Sequence, residues 1–482
     1  MPLAGIMSLA GIMLCKNRNP PKSLRSFDTL SWHDTIFHKN RESEVQNMAD
    51  VRPLRGIRYS QEIVGDLAQI VTPPFDVISE EAQAQYYARN PYNVIRLELG
   101  RSETSDTTLD NRYTRAAATL AQWRLDDVLR QDTLPAYYLY QQIFTYGGQT
   151  YTRTSLLGRV RVEPWEAKVI LPHEHTHRKA KDDRLQLVRA CATNFSPIMA
   201  MYKDPQGRIG RLLGNYASNP EVQITDDVNE GHRLHPITDP AQIALIQNFF
   251  AERQLYIADG HHRYETALNY REEIRELRRQ IHPADAVNFA LMALIDIDDP
   301  GMLVLPTHRL LFDLNAEALS VLSGPRLAEY FTVRELEAGA TSTQMLAQLA
   351  RAGQEQPSFI LSTPKRNVLL SLNERGEKRM AESGHAAAWN NLDVSVAHTL
   401  LVEALLGINV ADVTEGKYIR YTLDANEALQ DVKAGKAQAA LLLNPTRVKQ
   451  ICDVSDVEER MPHKSTYFYP KLITGLVLNP LW

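Results

Sequence analysis

The chain has 482 residues, of which 44% are hydrophobic and 23% are charged, and this composition excludes a fibrous or wholly disordered protein and predicts two or three domains. The formal net charge of -5, with both signs interspersed, argues against binding to nucleic acid. Three dispersed cysteines without a CxxC pair, and no apolar run of about 18 residues, exclude a disulfide framework and a membrane-spanning helix, so we expect a cytoplasmic protein.

Residues 1–47 differ from the rest of the chain. They open with the word LAGIM twice and continue as a basic stretch without hydrophobic periodicity. A signal peptide places its basic residues before the apolar run, whereas Lys16 and Arg18 follow it. Globular patterning starts just after Met48. We therefore predict a disordered extension over residues 1–47, or a start of translation at Met48, followed by the folded chain.

Residues 48–310 are predicted to form an N-terminal α/β core. Ser79, followed by two glutamates, predicts the start of a helix that ends near Asn90. Gly147 and Gly148 lie between two apolar runs and predict a β-hairpin. The other predicted elements are strands at 93–99, 223–226, 232–237, 254–258, 288–297 and 302–307, and helices at 113–130, 182–189, 241–253 and 264–280.

Residues 311–482 are predicted to form a C-terminal α/β lobe. The polar residues 373–387 are expected to form a loop at its rim, and residues 394–406 a helix. The segment KSTYFYPK, from Lys464 to Lys471, is expected to form a loop that returns to the core. Other patterned segments lie at 319–331, 343–352, 358–361, 368–372 and 439–444. The expected fold class is therefore mixed α/β (α+β) with more than one lobe.

The segment DGHHR, residues 259–263, is the strongest candidate for a chemical site. It lies where a short apolar strand is predicted to turn into a helix, and the first backbone N–H groups of a helix attract anions. Gly260 permits close approach of a ligand, and Asp259 offers a carboxylate to a magnesium ion or a proton. This combination indicates phosphate binding, whereas the alternative is an Asp N-cap beside surface histidines. The candidate catalytic residues are Asp259 and His262, and the candidate phosphate-binding residues are Gly260, His261 and Arg263.

A second candidate site is the segment LPHEHTH, residues 171–177, which is too polar for a buried strand and is expected to form a loop. On a loop, His173 or Glu174 can act as a general base, and Glu174 can also bind magnesium. On a strand, alternate side chains face the same way, so His173, His175 and His177 could instead hold zinc. The spacing differs from the HExxH motif of zinc proteases. A solvated loop is the third alternative.

Basic and hydroxyl side chains elsewhere complete the predicted site. Arg184 follows the histidine-rich loop and is expected to neutralise charge on a phosphoryl group. The KSTYFYPK segment presents hydroxyl and ammonium groups without a core pattern, which is typical of a ligand loop, although an ordinary terminal strand would also explain it. Its candidate ligand-binding residues are Lys464, Ser465, Thr466 and Lys471.

The DGHHR segment and the helix after it resemble the phosphate-binding turn of the ParB-like superfamily. That superfamily includes ParB-type CTP-hydrolysing clamps, sulfiredoxins and free-serine kinases. In its members the equivalent turn, a glycine followed by polar and basic residues at a helix start, grips nucleotide phosphates. The resemblance therefore implies a ParB-like or serine-kinase-like core and nucleotide binding at residues 259–263.

A longer resemblance, from residue 51 to the C-terminus, is to the bacterial and archaeal family called domain of unknown function 1015. That family is itself similar to free-amino-acid kinases. Two residues depart from the family's pattern, since Phe75 stands where a tyrosine is usual and His463 where a proline or glutamine is usual. The motifs that carry the resemblance are TPPFDVI from Thr72, LPHE from Leu171, DGHHRYETAL from Asp259, LPTHR from Leu305 and MPHKSTYFYPKL from Met461.

These residues favour an enzyme that binds a nucleoside triphosphate or diphosphate with Mg²⁺. Its expected reaction is phosphoryl transfer to a small hydroxyl-bearing metabolite such as free serine, or hydrolysis of the nucleotide, with Glu174 or Asp259 as the magnesium ligand. A nucleotide-gated regulatory protein without turnover is one alternative, and a zinc-dependent hydrolase is another. The adjacent His173 and Glu174 favour an enzyme, because a regulator has little use for acid/base groups.

Overall fold

The structure is a computed structural model that describes residues 48–176 and 178–482, and these residues belong to one compact unit. The predicted disordered extension at residues 1–47 lies outside the described residues, as does His177. Buried aliphatic and aromatic side chains from the strands and helices form the core. Among the described residues, no helix is both long and apolar enough to cross a membrane.

The N-terminal core is organised by a mixed sheet, here called the large sheet, to which nine strands of the described residues contribute. The predicted hairpin around Gly147 is confirmed, because Tyr137–Tyr146 pairs antiparallel with Gln149–Arg161 and places Tyr140 opposite Ser155. The strand order is Ile170–Leu171, Leu255–Asp259, Ile198–Tyr202, Phe289–Asp296, Gln149–Arg161, Tyr137–Tyr146, Gly231–Ile237 and Val222–Thr225, with Val51–Arg52 also paired to Gln149–Arg161.

The predicted helices of the core are all present, and three short helices, Gln61–Val64, Ile95–Glu98 and Arg208–Gly214, were not predicted. Helix Glu80–Arg89 begins after the predicted cap Ser79. The strand predicted at 93–99 is wrong, because the Asn93 side chain accepts a hydrogen bond from the backbone N–H two residues on, and this local cap starts the short helix Ile95–Glu98. The other helices are Gln61–Val64, Arg112–Leu125, Arg178–Cys191, Arg208–Gly214, Pro240–Phe250 and His261–Arg278.

A second sheet, here called the C-terminal sheet, has six antiparallel strands among the described residues. The strand His308–Leu311 belongs to it, so the boundary predicted between residues 310 and 311 falls inside a strand. The strand order is Phe331–Glu335, Asn367–Leu372, Ser358–Ser362, Ala439–Leu443, His308–Leu311 and Ile419–Thr422. The helices around it are Ala316–Ser323, Ser342–Glu355, Glu374–Ala381, Ala387–Asn390, Asp393–Val396, Val410–Thr414, Ala425–Lys433 and Val448–Asp456.

The loop predicted at residues 373–387 is partly a helix. Asn373 caps the helix Glu374–Ala381, because its side chain accepts a hydrogen bond from the backbone N–H of Gly376 at 2.9 Å. Met380 is buried and ties this otherwise polar helix to the core. One apolar anchor is too little periodicity to predict a helix, although the asparagine cap was a usable signal.

The helix predicted at residues 394–406 changes its winding. It begins as the α-helix Asp393–Val396 and continues as a π-helix over Ala397–Leu405. The backbone N–H of Leu406 accordingly donates to the carbonyl of Leu401, five residues back, at 2.9 Å. Such wider turns are rare and are frequently found at functional sites.

The end of the chain returns to the N-terminal core. Part of the KSTYFYPK segment, expected to be a loop, forms the strand Tyr467–Tyr469, which pairs with Leu303–Leu305. Asn479–Pro480 pairs with Thr193–Asn194. These pairings bring the lysines and hydroxyls of the segment close to residues that come much earlier in the chain. The two remaining short strands, Ile57–Tyr59 and Leu129–Gln131, pair with each other.

Candidate functional site

The DGHHR segment lies at the carboxyl end of a buried strand, as the sequence predicts. Leu255–Asp259 runs parallel to Ile170–Leu171 and antiparallel to Ile198–Tyr202. The chain then turns at Gly260 into the helix His261–Arg278, here called the site helix, whose start has no side-chain cap in the described structure. Because the first N–H groups of a helix have no intrahelical partner, this start can bind an anion.

Gly260 is required by both the backbone and the packing of the turn. Its φ is +96°, in the left-handed region that other residues rarely adopt. A Cβ at this position would lie 2.9 Å from Nε of Arg263. That guanidinium donates to the Asp259 carboxylate at 2.7 Å and to the Pro197 carbonyl at 2.5 Å. Any side chain at residue 260 would therefore displace Arg263 from both partners.

We expect Gly260→Ala to lower the free energy of unfolding by about 1–2 kcal/mol through strain at positive φ, and by a further amount because Arg263 must shift. The matched control is Gly339→Ala, where φ is +86° and a Cβ would meet nothing within 4 Å, so this variant carries the strain alone. Urea unfolding of both variants checks this, and equal losses of stability would contradict it.

A cavity of about 440 Å³, here called the first cavity, lies at the start of the site helix. This volume is in the range of small-molecule binding sites. Segments that are far apart in the sequence meet in it, including the TPPFD turn, the histidine-rich loop and the KSTYFYPK segment. Its lining comprises Phe75, Asp76, Val77, Glu174, Asp259, Gly260, His261, His262, Arg263, Thr307, Tyr421, Thr422, Leu423, His463, Lys464, Thr466, Tyr467 and Lys471.

The Asp259 carboxylate is held by two cations. Its Oδ1 accepts a hydrogen bond from Lys471 Nζ, and its Oδ2 accepts one from Arg263 at 2.7 Å. Burial alone would raise the pKa of Asp259, but the two cations outweigh burial and hold that pKa well below its usual range. Asp259 is therefore a fixed anion at neutral pH, which suits a metal ligand or an anchor for the cations better than a proton acceptor.

His173 is a buried, neutral imidazole with both ring nitrogens bonded. Its Nδ1 lies 2.8 Å from the Ile257 carbonyl, which can only accept, so Nδ1 carries the proton. Its Nε2 lies 3.0 Å from the Thr466 hydroxyl and must accept from it. Burial lowers the pKa of His173 to about 4, which keeps the ring neutral. His173 therefore orients Thr466. It is not one of the described residues that line the first cavity.

His261 is also buried and neutral. Its Nε2 accepts a hydrogen bond from the backbone N–H of His173 at 3.2 Å, so the ring proton is on Nδ1. Burial, together with the neighbouring His173, holds the pKa of His261 well below its usual value. His261 thus offers the cavity an N–H donor and no positive charge, while His262, at the next position of the site helix, also lines the cavity.

Glu174 lies between His261 and His463, two of the three histidines that line the cavity. Its carboxylate oxygens are each 3.9 Å from a ring nitrogen, Oε2 from Nδ1 of His261 and Oε1 from Nδ1 of His463. Burial raises the pKa of Glu174, and the positive charge of Lys464 offsets this only in part. A carboxylate with a raised pKa, beside the neutral imidazole of His261, is a better proton acceptor than an ordinary glutamate.

Two of the predicted ligand-binding residues do not reach the first cavity. Arg184 is buried, donates to the Glu98 carbonyl at 2.8 Å, pairs with Asp183 at 2.6 Å and stacks on the Phe75 ring. Ser465 is buried, and its hydroxyl donates to the Pro462 carbonyl. Arg184 thus packs against Phe75, which lines the cavity. Ser465 stabilises the turn in which it lies. Sequence spacing could not show the contacts of Arg184, because its partner Glu98 lies far away in the chain, whereas the bond of Ser465 is local.

Several lining residues were not predicted as site residues. Asp76 adds a third carboxylate, and its signal was the TPPFD turn, in which the prolines leave an acidic side chain beside a loop. Thr307 follows a buried strand in the LPTHR segment, a position from which the sequence indicates that Thr307, His308 and Arg309 line a cleft. Tyr421 lies on an ordinary strand of the C-terminal sheet, and its sequence gives no sign of the role. Only the folding of the two sheets brings it to the cavity.

The two described residues of the zinc hypothesis, His173 and His175, do not line a common cavity. Both ring nitrogens of His173 are bonded within the protein, His175 is exposed and lines a different cavity, and His177 lies outside the described residues. Among the described residues, three side chains place their possible metal-ligating atoms within 4.8 Å of one another, and these are Asp226, Glu230 and His232. Both ring nitrogens of that histidine are also bonded, to Tyr140 and to Asp226.

The first cavity fits a magnesium ion better. Magnesium prefers oxygen ligands and uses few protein carboxylates together with substrate phosphates. The carboxylates of Asp76, Glu174 and Asp259 all line the cavity, and Asp259 is ionised throughout the physiological range of pH. One or two of these carboxylates could hold Mg²⁺ together with a phosphate ligand.

A family model described as Protein of unknown function (DUF1015) matches residues 51–395. A search of curated proteins found no significant match. The solved structures to which the chain is similar include the following three. The first is a conserved hypothetical protein from Pyrococcus furiosus, with 13% identity over 64% of this chain and 92% of that chain and a TM-score of 0.32. The second is free serine kinase in complex with AMP, with 12% identity over 64% of this chain and 89% of that chain and a TM-score of 0.33. The third is SbnI with a C-terminal truncation from Staphylococcus aureus, with 11% identity over 67% of this chain and 86% of that chain and a TM-score of 0.33.

Proposed function

The chain belongs to the family described as Protein of unknown function (DUF1015), as its motifs predict, and we propose that its first cavity binds a nucleotide and transfers a phosphoryl group to a small hydroxyl-bearing metabolite. The observation that carries the proposal is the uncapped start of the site helix, which lines a cavity together with Arg263, Lys464 and Lys471. A helix N-terminus and three cations together complement the charge of phosphate groups.

The cations have different tasks in this proposal. Lys464 is exposed, has a φ of +56° and extends from the turn before Thr466, so its ammonium can follow the phosphates as they react. Lys471 and Arg263 are fixed by Asp259, and Lys471 also lies 4.6 Å above the Tyr467 ring. Fixed cations stabilise developing charge without reorganising during the reaction. The pair therefore supports the binding of the phosphates, and Lys464 neutralises the transferred group.

Glu174 is the proposed general base. The acceptor's hydroxyl oxygen forms a bond to the γ-phosphorus while the bond from that phosphorus to the β,γ-bridging oxygen breaks. The hydroxyl proton passes to Glu174, and the nucleoside diphosphate leaves. The raised pKa of Glu174 and its position in the cavity wall support this role, whereas the Nε2 of His173 is already occupied by Thr466.

Thr466 presents lone pairs to the cavity. Since its hydroxyl proton is donated to His173, its oxygen can accept a hydrogen bond from a ligand but cannot donate one to a phosphate. We therefore assign Thr466 to a hydroxyl or N–H group of the ligand. This differs from the phosphate-binding role that the sequence predicts for it.

Magnesium would be held by Asp259 and Asp76, or by Glu174 before it acts as a base. When bound, the ion would screen the charge of the nucleotide phosphates. The fixed negative charge of Asp259, beside the positively charged Lys471 and Arg263, keeps this part of the cavity polar and charged for such a ligand.

The rate of transfer is expected to depend on pH through Glu174. Only the carboxylate accepts a proton, so kcat/KM should fall as the pH drops through a pKa that lies above the usual value of 4.5. A pH–rate profile of the wild type and of Glu174→Gln checks this. The acid limb that belongs to Glu174 should disappear in the variant, while any limb caused by the nucleotide's own titration remains in both. Identical profiles for the two proteins would contradict the role.

The proposal is tested by a thermal-shift screen of the full chain against ATP, ADP, CTP, GTP and pyrophosphate with Mg²⁺. We expect at least one nucleotide to raise the Tm, and we expect His262→Ala and Arg263→Ala to remove the shift. The matched control is Arg275→Ala, an exposed position further along the site helix, which should keep the shift. The proposal fails if no nucleotide or pyrophosphate shifts the Tm of the wild type.

A nucleotide-gated regulator would pass the same binding test, so turnover must be measured separately. We expect consumption of the bound triphosphate to accelerate when a small hydroxyl-bearing acceptor is added, beginning with serine. Tight binding without turnover for any acceptor would overturn the enzyme and leave the regulator.

A further inference from the structure

A second cavity of about 650 Å³ lies beside the first. The two cavities have Tyr421 and His463 in common, so one wall separates them. The far side of the second cavity is formed by the π-helix Ala397–Leu405, which contributes His398 and Glu403. In a π-helix, residues five apart lie on neighbouring turns, and Nε2 of His398 is 3.6 Å from Oε1 of Glu403. The wider winding thus places both polar side chains on the cavity wall.

Arg309 is a buried cation in this wall without a counter-ion. Its side chain is 6% exposed, and its two hydrogen bonds go to neutral groups, the carbonyls of Thr307 and Lys464. No carboxylate of the described residues forms an ion pair with it, and its guanidinium lies 5.6 Å from the centre of the Tyr421 ring. Burying an unpaired charge is costly, so a site that keeps one is suited to an anionic ligand.

The surroundings show that the charge of Arg309 is not neutralised. Burial lowers its pKa only to about 10, so it remains a cation at neutral pH. Burial and the charge of Arg309 together lower the pKa of His398 to about 4. The other arginines of the wall differ from Arg309, since Arg379 pairs with Glu382 at 3.4 Å, and Arg460 is only partly buried and is influenced by the negative charge of Glu265.

We infer that the second cavity binds a small molecule that carries a single carboxylate, with Arg309 as its counter-ion. One buried, unpaired cation matches one negative charge, and the planar guanidinium fork fits a carboxylate. A phosphate dianion fits less well, because Glu382 and Glu403 also border the cavity and would repel it. Neutral His398 can add one further hydrogen bond to the ligand.

The geometry also gives this ligand a place in the reaction, a step that rests on the proposed function. Arg309 donates to the carbonyls of Thr307 and Lys464, both of which line the first cavity. A molecule held at Arg309 by its carboxylate can therefore extend past the shared wall toward Glu174, which lies 3.9 Å from His463. The acceptor class would then be small hydroxy acids.

The test uses lactate and lactamide, two molecules of similar size that differ in the carboxylate. Binding to the full chain is measured by saturation-transfer NMR, with inorganic phosphate as a competitor. We expect lactate to bind at least tenfold more tightly than lactamide, and inorganic phosphate to displace it poorly. Equal binding of lactate and lactamide would overturn the inference, and so would displacement of lactate by an equal concentration of phosphate.

Variants locate the site. Arg309→Gln should abolish lactate binding, Arg309→Lys should retain part of it, and Arg375→Gln, an exposed arginine outside the cavity lining, should leave it unchanged. Thr399→Trp keeps Arg309 but narrows the cavity, so it should weaken lactate binding even if Arg309→Gln does not fold. An unchanged lactate affinity in Thr399→Trp would overturn the site.

ATP binding is measured on the same samples. Selective lactate binding without ATP binding would keep the carboxylate site and overturn only its link to phosphoryl transfer. ATP binding without selective lactate binding would overturn the carboxylate site alone.

Discussion

Replacement of Glu174 by Gln is expected to lower the turnover number of phosphoryl transfer by about 10²–10⁴-fold while leaving ATP binding nearly unchanged. The amide has the shape of the carboxylate but cannot accept the hydroxyl proton. The carboxylate is placed for this task between His261 and His463, at 3.9 Å from each. Steady-state kinetics with the best acceptor, and ATP titration of the same preparation, give the two quantities separately.

The control for this variant is Glu276→Gln, an exposed glutamate on the site helix. It makes the same chemical change far from the cavity lining and should keep both turnover and ATP binding. Full turnover by Glu174→Gln would show that the proton goes elsewhere. A parallel loss of ATP binding would instead indicate that Glu174 acts mainly through magnesium or the nucleotide.

Replacement of Asp259 by Asn is expected to lower the free energy of unfolding by about 3–5 kcal/mol. The substitution leaves Lys471 and Arg263 without their common carboxylate, and the three side chains are only 11–17% exposed. Breaking a buried pair by removing one partner costs much more than the pair contributes in net terms, because a buried charge is left uncompensated. Urea unfolding at neutral pH measures the effect.

The matched control is Asp453→Asn, which removes an exposed partner of Lys449 at 2.8 Å. An exposed ion pair contributes at most about 1 kcal/mol, so this variant should unfold almost like the wild type. If Asp259→Asn cost no more than Asp453→Asn, the two cations would not depend on Asp259. The account of the phosphate-binding side of the cavity would then be wrong.

The local organisation of the site could be predicted from the sequence. A short apolar run followed by Asp-Gly and a helical pattern predicted the strand, the turn and the site helix, because each of these depends on neighbouring residues. The family was predicted from motifs and is confirmed by the match over residues 51–395. The ParB-like relation of the DGHHR segment stays a prediction.

What could not be predicted depends on long-range packing. His261 is neutral because it is buried beside His173. Arg184 does not line the first cavity because it is held by Glu98 and Asp183. Tyr421 enters the cavity walls only because the C-terminal sheet packs near the DGHHR turn. The hydrophobic periodicity of one segment does not show which distant segment packs against it.

The most direct test of the central claim is a crystal structure of the full chain with Mg²⁺ and a non-hydrolysable ATP analogue. The account predicts that phosphate oxygens accept hydrogen bonds from the backbone N–H groups at the start of the site helix. It also predicts that Lys464 and Arg263 lie within hydrogen-bonding distance of these oxygens. A nucleotide bound elsewhere in the protein, with the start of the site helix facing only solvent, would contradict it.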